Sequence, residues 1–325
     1  MSRLSRMIDG LLGRKKSSGE IVDDPRSEFG MISGNEQTFC RNYARELYTG
    51  VGEIVDLGCW LGATTVSFAK GLRRNRRLTP ERKRKRIHSY DLFRWHPSMN
   101  PNVRGTPLEG KYQEGDSFLP EFEKRTAPWS EYFQVNAGDI KASPWNGGPI
   151  ELLFVDAMKW PDTAAWIVKD FYPHLIPGVS LVAHQDFGDF FAGWIHLIQY
   201  RLRDYFEFFE EVKKSATVVF KLKSAIPAAL LEQDCFFEHT SLEEITAAFD
   251  YSASLVGKSM QERIAAGRAM AHLHRGEPEL AKKVVLDFVL SHLAEYQFHD
   301  RRSVMAVFHA EYQSRLEENT PAGPR

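Results

Sequence analysis

The segment from Ile150 to Asp156 is the feature that most constrains the fold of this chain. Its sequence, Ile-Glu-Leu-Leu-Phe-Val-Asp, is an apolar run with one acid near its start and a second acid at its end. Continuous apolar runs of this length are typical of strands that are buried on both faces of a parallel sheet. The sequence therefore predicts an α/β protein with this strand in its core.

Further strands and helices alternate along the chain on both sides of this segment. The pattern predicts strands near 53–57, 87–91, 132–135 and 179–183, and a hairpin near 206–213 and 216–223. Helices are expected from Asn35, which can cap the first of them, and near 63–72, 116–126, 161–173 and 189–205. This alternation predicts a Rossmann-like, doubly wound, mostly parallel seven-stranded sheet with a helical C-terminal extension.

The chain has 325 residues, enough for one large domain with an appendage. After Pro227 the strand pattern stops, and apolar residues recur at helical spacing. We expect a flexible N-terminal segment at 1–30, the Rossmann-like domain at 31–225, a helical C-terminal region at 226–318 and a disordered tail at 319–325.

Charge and cysteine content narrow the class of protein. The formal net charge is −1, and the basic stretch 73–86 contains no aromatic residues, so nucleic-acid binding is disfavoured. The three cysteines form no CxxC pair, which argues against a disulfide framework or a zinc site and favours the cytoplasm. No apolar run approaches the roughly 20 residues that a transmembrane helix needs.

Acidic residues stand at or just after the ends of successive predicted strands. In open α/β sheets, ligands bind at the carboxyl ends of the strands, which meet at one edge. Several acids at that edge therefore predict one carboxylate-lined crevice. These acids are Asp56, Asp91, Asp139, Asp156 and Asp186.

The turn after the first strand reads Gly58-Cys59-Trp60-Leu61-Gly62. Trp60 stands where a dinucleotide fingerprint has its second glycine, which lets the backbone approach a pyrophosphate. This departure argues against NAD or FAD, and the chain also contains no P-loop motif. S-adenosylmethionine, which has an amino-acid end, a ribose and an adenine but no phosphate, fits such a crevice.

At this turn the chain resembles class I methyltransferases, and within them the macrocin O-methyltransferase group, whose turn often reads glycine, any residue, tryptophan, any residue, glycine. The resemblance implies that backbone near Gly58 contacts the methionine portion of S-adenosylmethionine. It also implies that Asp91 accepts hydrogen bonds from the ribose and that Asp139, after Gly138, contacts the adenine. The expected cofactor-binding set is completed by Asp56, Trp60, Gly62 and Asp156.

Several relatives hold Mg²⁺ with an acid after the fourth strand and an acidic pair after the fifth. Here Asp156 matches the first position, and the second reads His184-Gln185-Asp186, so the acidic pair is broken. Asp156, Gln185 and Asp186 still offer the oxygen ligands that Mg²⁺ prefers. A bound Mg²⁺ is therefore one expectation, and His184 acting as a base instead is another.

Methyl transfer needs an acceptor that is held in line and a group that removes its proton. The candidates for the base are Asp156, His184 and Asp186, and Lys159 is expected to orient the acceptor or lower its pKa. The expected function is O-methylation of a hydroxyl on a small molecule, whether a sugar, a glycan or another secondary metabolite. A loop at 92–115 is the candidate lid over the acceptor.

Structural roles remain open for several of these residues. Asp56 can cap the glycine turn, Asp139 can form an Asx-turn, Trp60 can serve packing alone, and His184 can be a satisfied buried histidine. Two other functions also remain open for the whole chain: a non-catalytic binding protein and a metal-dependent hydroxylase-type relative. The aromatic helix and the C-terminal helices could support a homodimer.

Overall fold

The computed structural model describes residues 28–291 and contains one seven-stranded sheet. The strand order across the sheet is β3-β2-β1-β4-β5-β7-β6. The strands are β1 Glu53–Leu57, β2 Ile87–Asp91, β3 Phe133–Ala137, β4 Ile150–Val155, β5 Leu181–His184, β6 Phe206–Glu211 and β7 Val218–Leu222.

The first five strands are parallel, whereas β7 runs antiparallel to both β5 and β6. The predicted Rossmann-like α/β class is thus confirmed, with a mixed sheet. Leu57 at the end of β1 pairs with Tyr90 of β2 and with Val155 of β4. The carboxyl ends of the central strands are therefore level, and the residues that follow them share one edge.

Helices cover the sheet. The helix α1 begins with a capping box, in which the Ser33 hydroxyl accepts from Glu36 N and the Glu36 side chain accepts from Ser33 N. The prediction that Asn35 caps this helix is therefore wrong, and the Asn35 amide donates to Lys213 O at 2.7 Å instead. The helices are α1 Gly34–Asn42, α2 Ala63–Arg74, α3 Pro80–Lys83, α4 Leu119–Thr126, α5 Pro161–Phe171, α6 Trp194–Arg201, α7 Ala228–Leu231, α8 Leu242–Ser254, α9 Lys258–His274 and α10 Pro278–Ser291.

The core lies on both faces of β4, as the apolar run predicts. Every residue of β4 is buried. Leu153 and Val155 join the hydrophobic cluster on one face, and Leu152 and Phe154 join the cluster on the other. Because burying one such side chain stabilises the fold by about 1.5–3 kcal/mol, this strand anchors both layers.

The C-terminal helices share the core of the sheet. Phe237, Ile245 of α8 and Phe249 of α8 belong to the same buried cluster as Leu153. The division at residues 225/226 stays a prediction, as do the flexible segment 1–30 and the tail 319–325, most or all of which lie outside the described residues. Between residues 28 and 291, no helix is long and apolar enough to cross a membrane.

Candidate active site

The glycine turn after β1 brings the backbone of β1 against that of β4. Gly58 has φ +85°, and its N–H donates to Tyr90 O at 2.8 Å. A Cβ at this position would lie 2.4 Å from Asp156 O, which is a backbone atom and cannot swing away. Both the left-handed conformation and this close approach require glycine.

The Asp91 carboxylate ties the glycine turn to the end of β2. Its Oδ2 accepts from Trp60 N at 2.8 Å, and its Oδ1 accepts from Phe93 N at 2.7 Å. Burial raises the pKa of Asp91, and these two backbone hydrogen bonds oppose that rise. Each carboxylate oxygen keeps a lone pair, so Asp91 can still accept hydrogen bonds from the hydroxyl groups of a ligand.

A pocket of about 440 Å³ lies at the carboxyl edge of the sheet. It brings together most of the residues that the sequence assigned to the cofactor, along with Lys159 from the predicted catalytic set. Its lining comprises Met31, Gly58, Trp60, Tyr90, Asp91, Leu92, Met99, Gly138, Asp139, Ile140, Lys141, Asp156, Ala157, Lys159, Trp160 and Thr163.

Two of the predicted cofactor residues stand beneath the pocket and do not line it. Asp56 is fully buried, and its Oδ2 accepts from Thr65 Oγ1 of α2 at 2.7 Å. Burial raises the pKa of Asp56 to about 7. Gly62, at φ +89°, is the residue from which α2 begins. Direct cofactor contact stays a prediction for both residues, and these contacts favour a role in supporting the turn.

Trp60 and Asp139 reach the pocket in different ways. Trp60 has φ +43°, its ring packs near Phe29, and its Nε1 has no hydrogen-bond partner within residues 28–291. Asp139 is exposed, and its Oδ1 accepts from Lys141 N at 2.9 Å, which caps a short 3₁₀ turn. The Asx-type role considered for Asp139 is thus present, and its other oxygen, Oδ2, is a candidate acceptor for a ligand.

His184 is buried beneath the sheet edge. Its Nε2 accepts a hydrogen bond from Gln199 Nε2 at 2.8 Å and lies 3.3 Å from Tyr172 Oη. Burial lowers the pKa of His184 to about 3. His184 is fully buried and does not line the pocket, which favours the alternative of a buried structural histidine; its role as a general base stays a prediction.

Lys159 bridges two carboxylates at the ends of β4 and β5. Its Nζ lies 2.6 Å from Asp156 Oδ1 and 2.6 Å from Asp186 Oδ2. Burial raises the pKa of both carboxyl groups, and the ammonium opposes that rise. The two carboxylates raise the pKa of Lys159. The three side chains therefore form one charged cluster beside the pocket.

Lys159 occupies oxygens of two of the predicted metal ligands, Asp156 and Asp186. With its amide turned so that the nitrogen faces the carboxylates, Gln185 would donate to Asp186 Oδ1 at 2.8 Å and to Asp156 Oδ1 at 3.1 Å. Across the described part of the chain, no group of three His, Cys, Asp or Glu side chains could hold a metal ion. Mg²⁺ binding by Asp156, Gln185 and Asp186 stays a prediction, and the Lys159 ammonium on both carboxylates argues against it.

Sequence reasoning missed the apolar part of the pocket wall. Trp160 and Leu92 keep 68% and 57% of their surface exposed, respectively, although both line the pocket. Leu92 and Met99 belong to the loop 92–115 that was expected to form a lid. The available signal for Trp160 was its place in the loop between β4 and α5, since such loops surround the ligand site of an α/β sheet.

A comparison of the sequence with known protein families finds a match over the segment that contains most of these pocket residues. Residues 55–185 match the model of a family described as a methyltransferase domain. The chain contains a methyltransferase domain. The matched segment runs from β1 to the residue after β5, so it includes the glycine turn, Asp91, Asp139, Asp156 and Lys159 of this enzyme.

Solved structures similar to the methyltransferase include the O-methyltransferase NovP and the cofactor-bound Rv0187 from MTB. NovP shows 14% identity and a TM-score of 0.46, over 60% of this chain and 83% of NovP. Rv0187 shows 15% identity and a TM-score of 0.30, over 55% of this chain and 70% of Rv0187. No curated protein matches the sequence significantly.

Proposed function

We propose that this protein is an S-adenosylmethionine-dependent O-methyltransferase, with the pocket at the carboxyl edge of the sheet as its active site. The observation that carries the proposal is the convergence of Gly58, Asp91 and Asp139 on one pocket inside a segment that matches a methyltransferase domain. These residues stand at or just after the ends of three different strands, β1, β2 and β3.

The pocket offers a partner for each part of S-adenosylmethionine. Asp91 keeps lone pairs for the ribose hydroxyls, and the Asp139 carboxylate is available to the adenine amino group. Gly58 lines the pocket, so its backbone is available to the methionine portion. When bound, the cofactor supplies an electrophilic methyl group on a sulfonium.

The cluster at the ends of β4 and β5 is suited to the acceptor. In the transfer, the S–CH₃ bond breaks, an O–CH₃ bond forms and the hydroxyl gives up its proton. We assign that proton to Asp156, which lines the pocket and whose pKa burial raises towards the working range of a general base. Lys159 beside it orients the hydroxyl oxygen through its ammonium.

The acceptor that best fits this wall is a hydroxylated ring compound, such as a sugar or another secondary metabolite. The exposed faces of Trp160 and Leu92 offer an apolar surface at the pocket, next to the charged Asp156 and Lys159. Aromatic side chains provide a large contact area with little loss of conformational entropy on binding. A ring can therefore stack on Trp160 while its hydroxyl points to Asp156.

Calorimetric titration with S-adenosylhomocysteine tests the proposal. The wild-type protein should bind it, and Asp91→Asn should bind it roughly 10- to 100-fold more weakly, since a hydrogen bond to a charged group contributes about 1.5–3 kcal/mol. The matched control is Asp250→Asn, which removes an exposed carboxylate paired with Arg268 on the C-terminal helices. Absence of binding by the wild-type protein at hundreds of micromolar ligand would refute the function.

A further inference from the structure

The Lys159 ammonium lies between the two carboxylates where relatives of the predicted family place a divalent cation. Its Nζ is 2.6 Å from an oxygen of Asp156 and 2.6 Å from an oxygen of Asp186. We infer that Lys159 is a built-in cation, which takes the place of the metal ion and makes this methyltransferase independent of Mg²⁺. The inference rests on the proposed function for its catalytic meaning, but the site itself can be tested without turnover.

The electrostatics of the cluster favour the ammonium over a metal. The side chains of Asp156 and Asp186 are 12% and 5% exposed, respectively, and two nearly buried carboxylates this close require a compensating charge. Lys159, three residues after Asp156 in the sequence, supplies that charge. Because it is part of the chain, it does not have to bind from solution as a metal ion would. A Mg²⁺ at the same place would have to displace the ammonium from both carboxylates.

The donor set is equally unfavourable to Mg²⁺. This ion needs nearly octahedral oxygen coordination at about 2.1 Å and gives up its waters reluctantly. Asp156 Oδ1 and Asp186 Oδ2 each already accept a hydrogen bond from Lys159. A metal ion between these two oxygens would therefore have to compete with the ammonium for both of them.

The built-in cation can also act on the acceptor hydroxyl as a metal ion would, by lowering its pKa. An ammonium has three N–H donors, and two of them are used by Asp156 and Asp186. Lys159 lines the pocket and its side chain is 52% exposed, so the third donor can reach an acceptor oxygen. A positive charge at that oxygen favours its deprotonated form and lowers the pKa of the hydroxyl.

The test measures metal binding by the full-length protein with Mn²⁺ alone, by calorimetry and by electron paramagnetic resonance. The wild-type protein should bind Mn²⁺ no more tightly than millimolar, and EDTA should leave its affinity for S-adenosylhomocysteine unchanged. Lys159→Ala frees two neighbouring carboxylates and should bind Mn²⁺ at least tenfold more tightly. The matched control is Lys169→Ala, which removes an exposed lysine paired with Glu232 and should behave like the wild-type protein.

Two results would overturn the inference: submillimolar Mn²⁺ binding by the wild-type protein, or no gain of Mn²⁺ affinity in a folded Lys159→Ala protein. If the alanine variant does not fold, Lys159→Gln, which removes the charge but keeps a hydrogen-bond donor, provides the same comparison. The proposed function fails separately, through lack of S-adenosylhomocysteine binding by the wild-type protein, whatever Mn²⁺ does.

Discussion

Substitution of Gly58 by alanine should damage the protein through two separable effects. The first is conformational: at φ +85°, an L-residue costs about 1–2 kcal/mol relative to glycine. The second is steric: the new Cβ would lie 2.4 Å from Asp156 O and 2.8 Å from Asp156 C. Because Asp156 N donates to Leu57 O at 2.8 Å, relief requires the ends of β1 and β4 to separate. Such overpacking costs a further 1–3 kcal/mol or so.

Gly105 offers a matched control for the conformational effect. It has φ +73°, close to that of Gly58, and a Cβ there would meet no atom within 4 Å. Gly105→Ala should therefore lose only about 1–2 kcal/mol of unfolding free energy, whereas Gly58→Ala should lose about 2–5 kcal/mol. Urea denaturation followed by tryptophan fluorescence measures both values.

The same comparison connects the turn with ligand binding. Separation of the β1 and β4 ends moves Asp156 away from the glycine turn, so Gly58→Ala should weaken binding of S-adenosylhomocysteine at least tenfold, while Gly105→Ala should leave it unchanged. Equal losses of stability in the two variants would refute the steric part of this reasoning. Unchanged ligand affinity in a folded Gly58→Ala protein would refute the assignment of this turn to the cofactor.

Two further substitutions test the roles of the strand-end residues. Burial lowers the pKa of His184 to about 3, so as the pH falls below about 6.5 the unfolded chain binds a proton that the folded protein does not, and the free energy of unfolding decreases. Urea denaturation should show that His184→Gln loses about 2 kcal/mol less than the wild-type protein between pH 6.5 and 5. Equal losses in the two proteins would contradict a buried, neutral His184. Asp156→Asn should lower turnover about 100-fold or more, as measured by release of S-adenosylhomocysteine with an accepted hydroxyl compound. In the wild-type protein, turnover should rise with pH through the elevated pKa of Asp156, and the variant should lack this rise. A retained pH dependence would exclude Asp156 as the base.

The fold was predictable because it depends on patterns that the sequence shows directly. The apolar run of β4 identifies a central strand, and the alternation around it gives the number of strands. The N-cap residue of α1 could not be predicted in the same way, because Ser33 and Asn35 are both good cap residues. Only the reciprocal hydrogen bonds between Ser33 and Glu36 distinguish them in the structure.

The pocket could be predicted in part for a similar reason. Because the ends of the parallel strands are level, Gly58, Asp91 and Asp139 lie at one edge of the sheet, and this placement depends on the backbone alone. The roles of individual side chains depend on contacts that are distant in sequence. Nothing near Lys159 in the sequence shows that Asp186, at the end of another strand, would share its ammonium.

His184 illustrates how strand geometry separates a structural residue from a functional one. Side chains alternate between the two faces along a strand, so His184 as the last residue of β5 shares a face with Val182, which is in the core. Asp186 stands beyond the last strand residue, where pairing has ended and the backbone is free to turn its carboxylate to the sheet edge. In β5, the polar residue inside the paired strand therefore follows the packing of the core, and the one just past it can serve the pocket. The same pattern holds for Asp56, which is buried inside β1, and for Asp156, which stands just beyond β4 and lines the pocket. Asp91 departs from it, because it is the last paired residue of β2 and still lines the pocket.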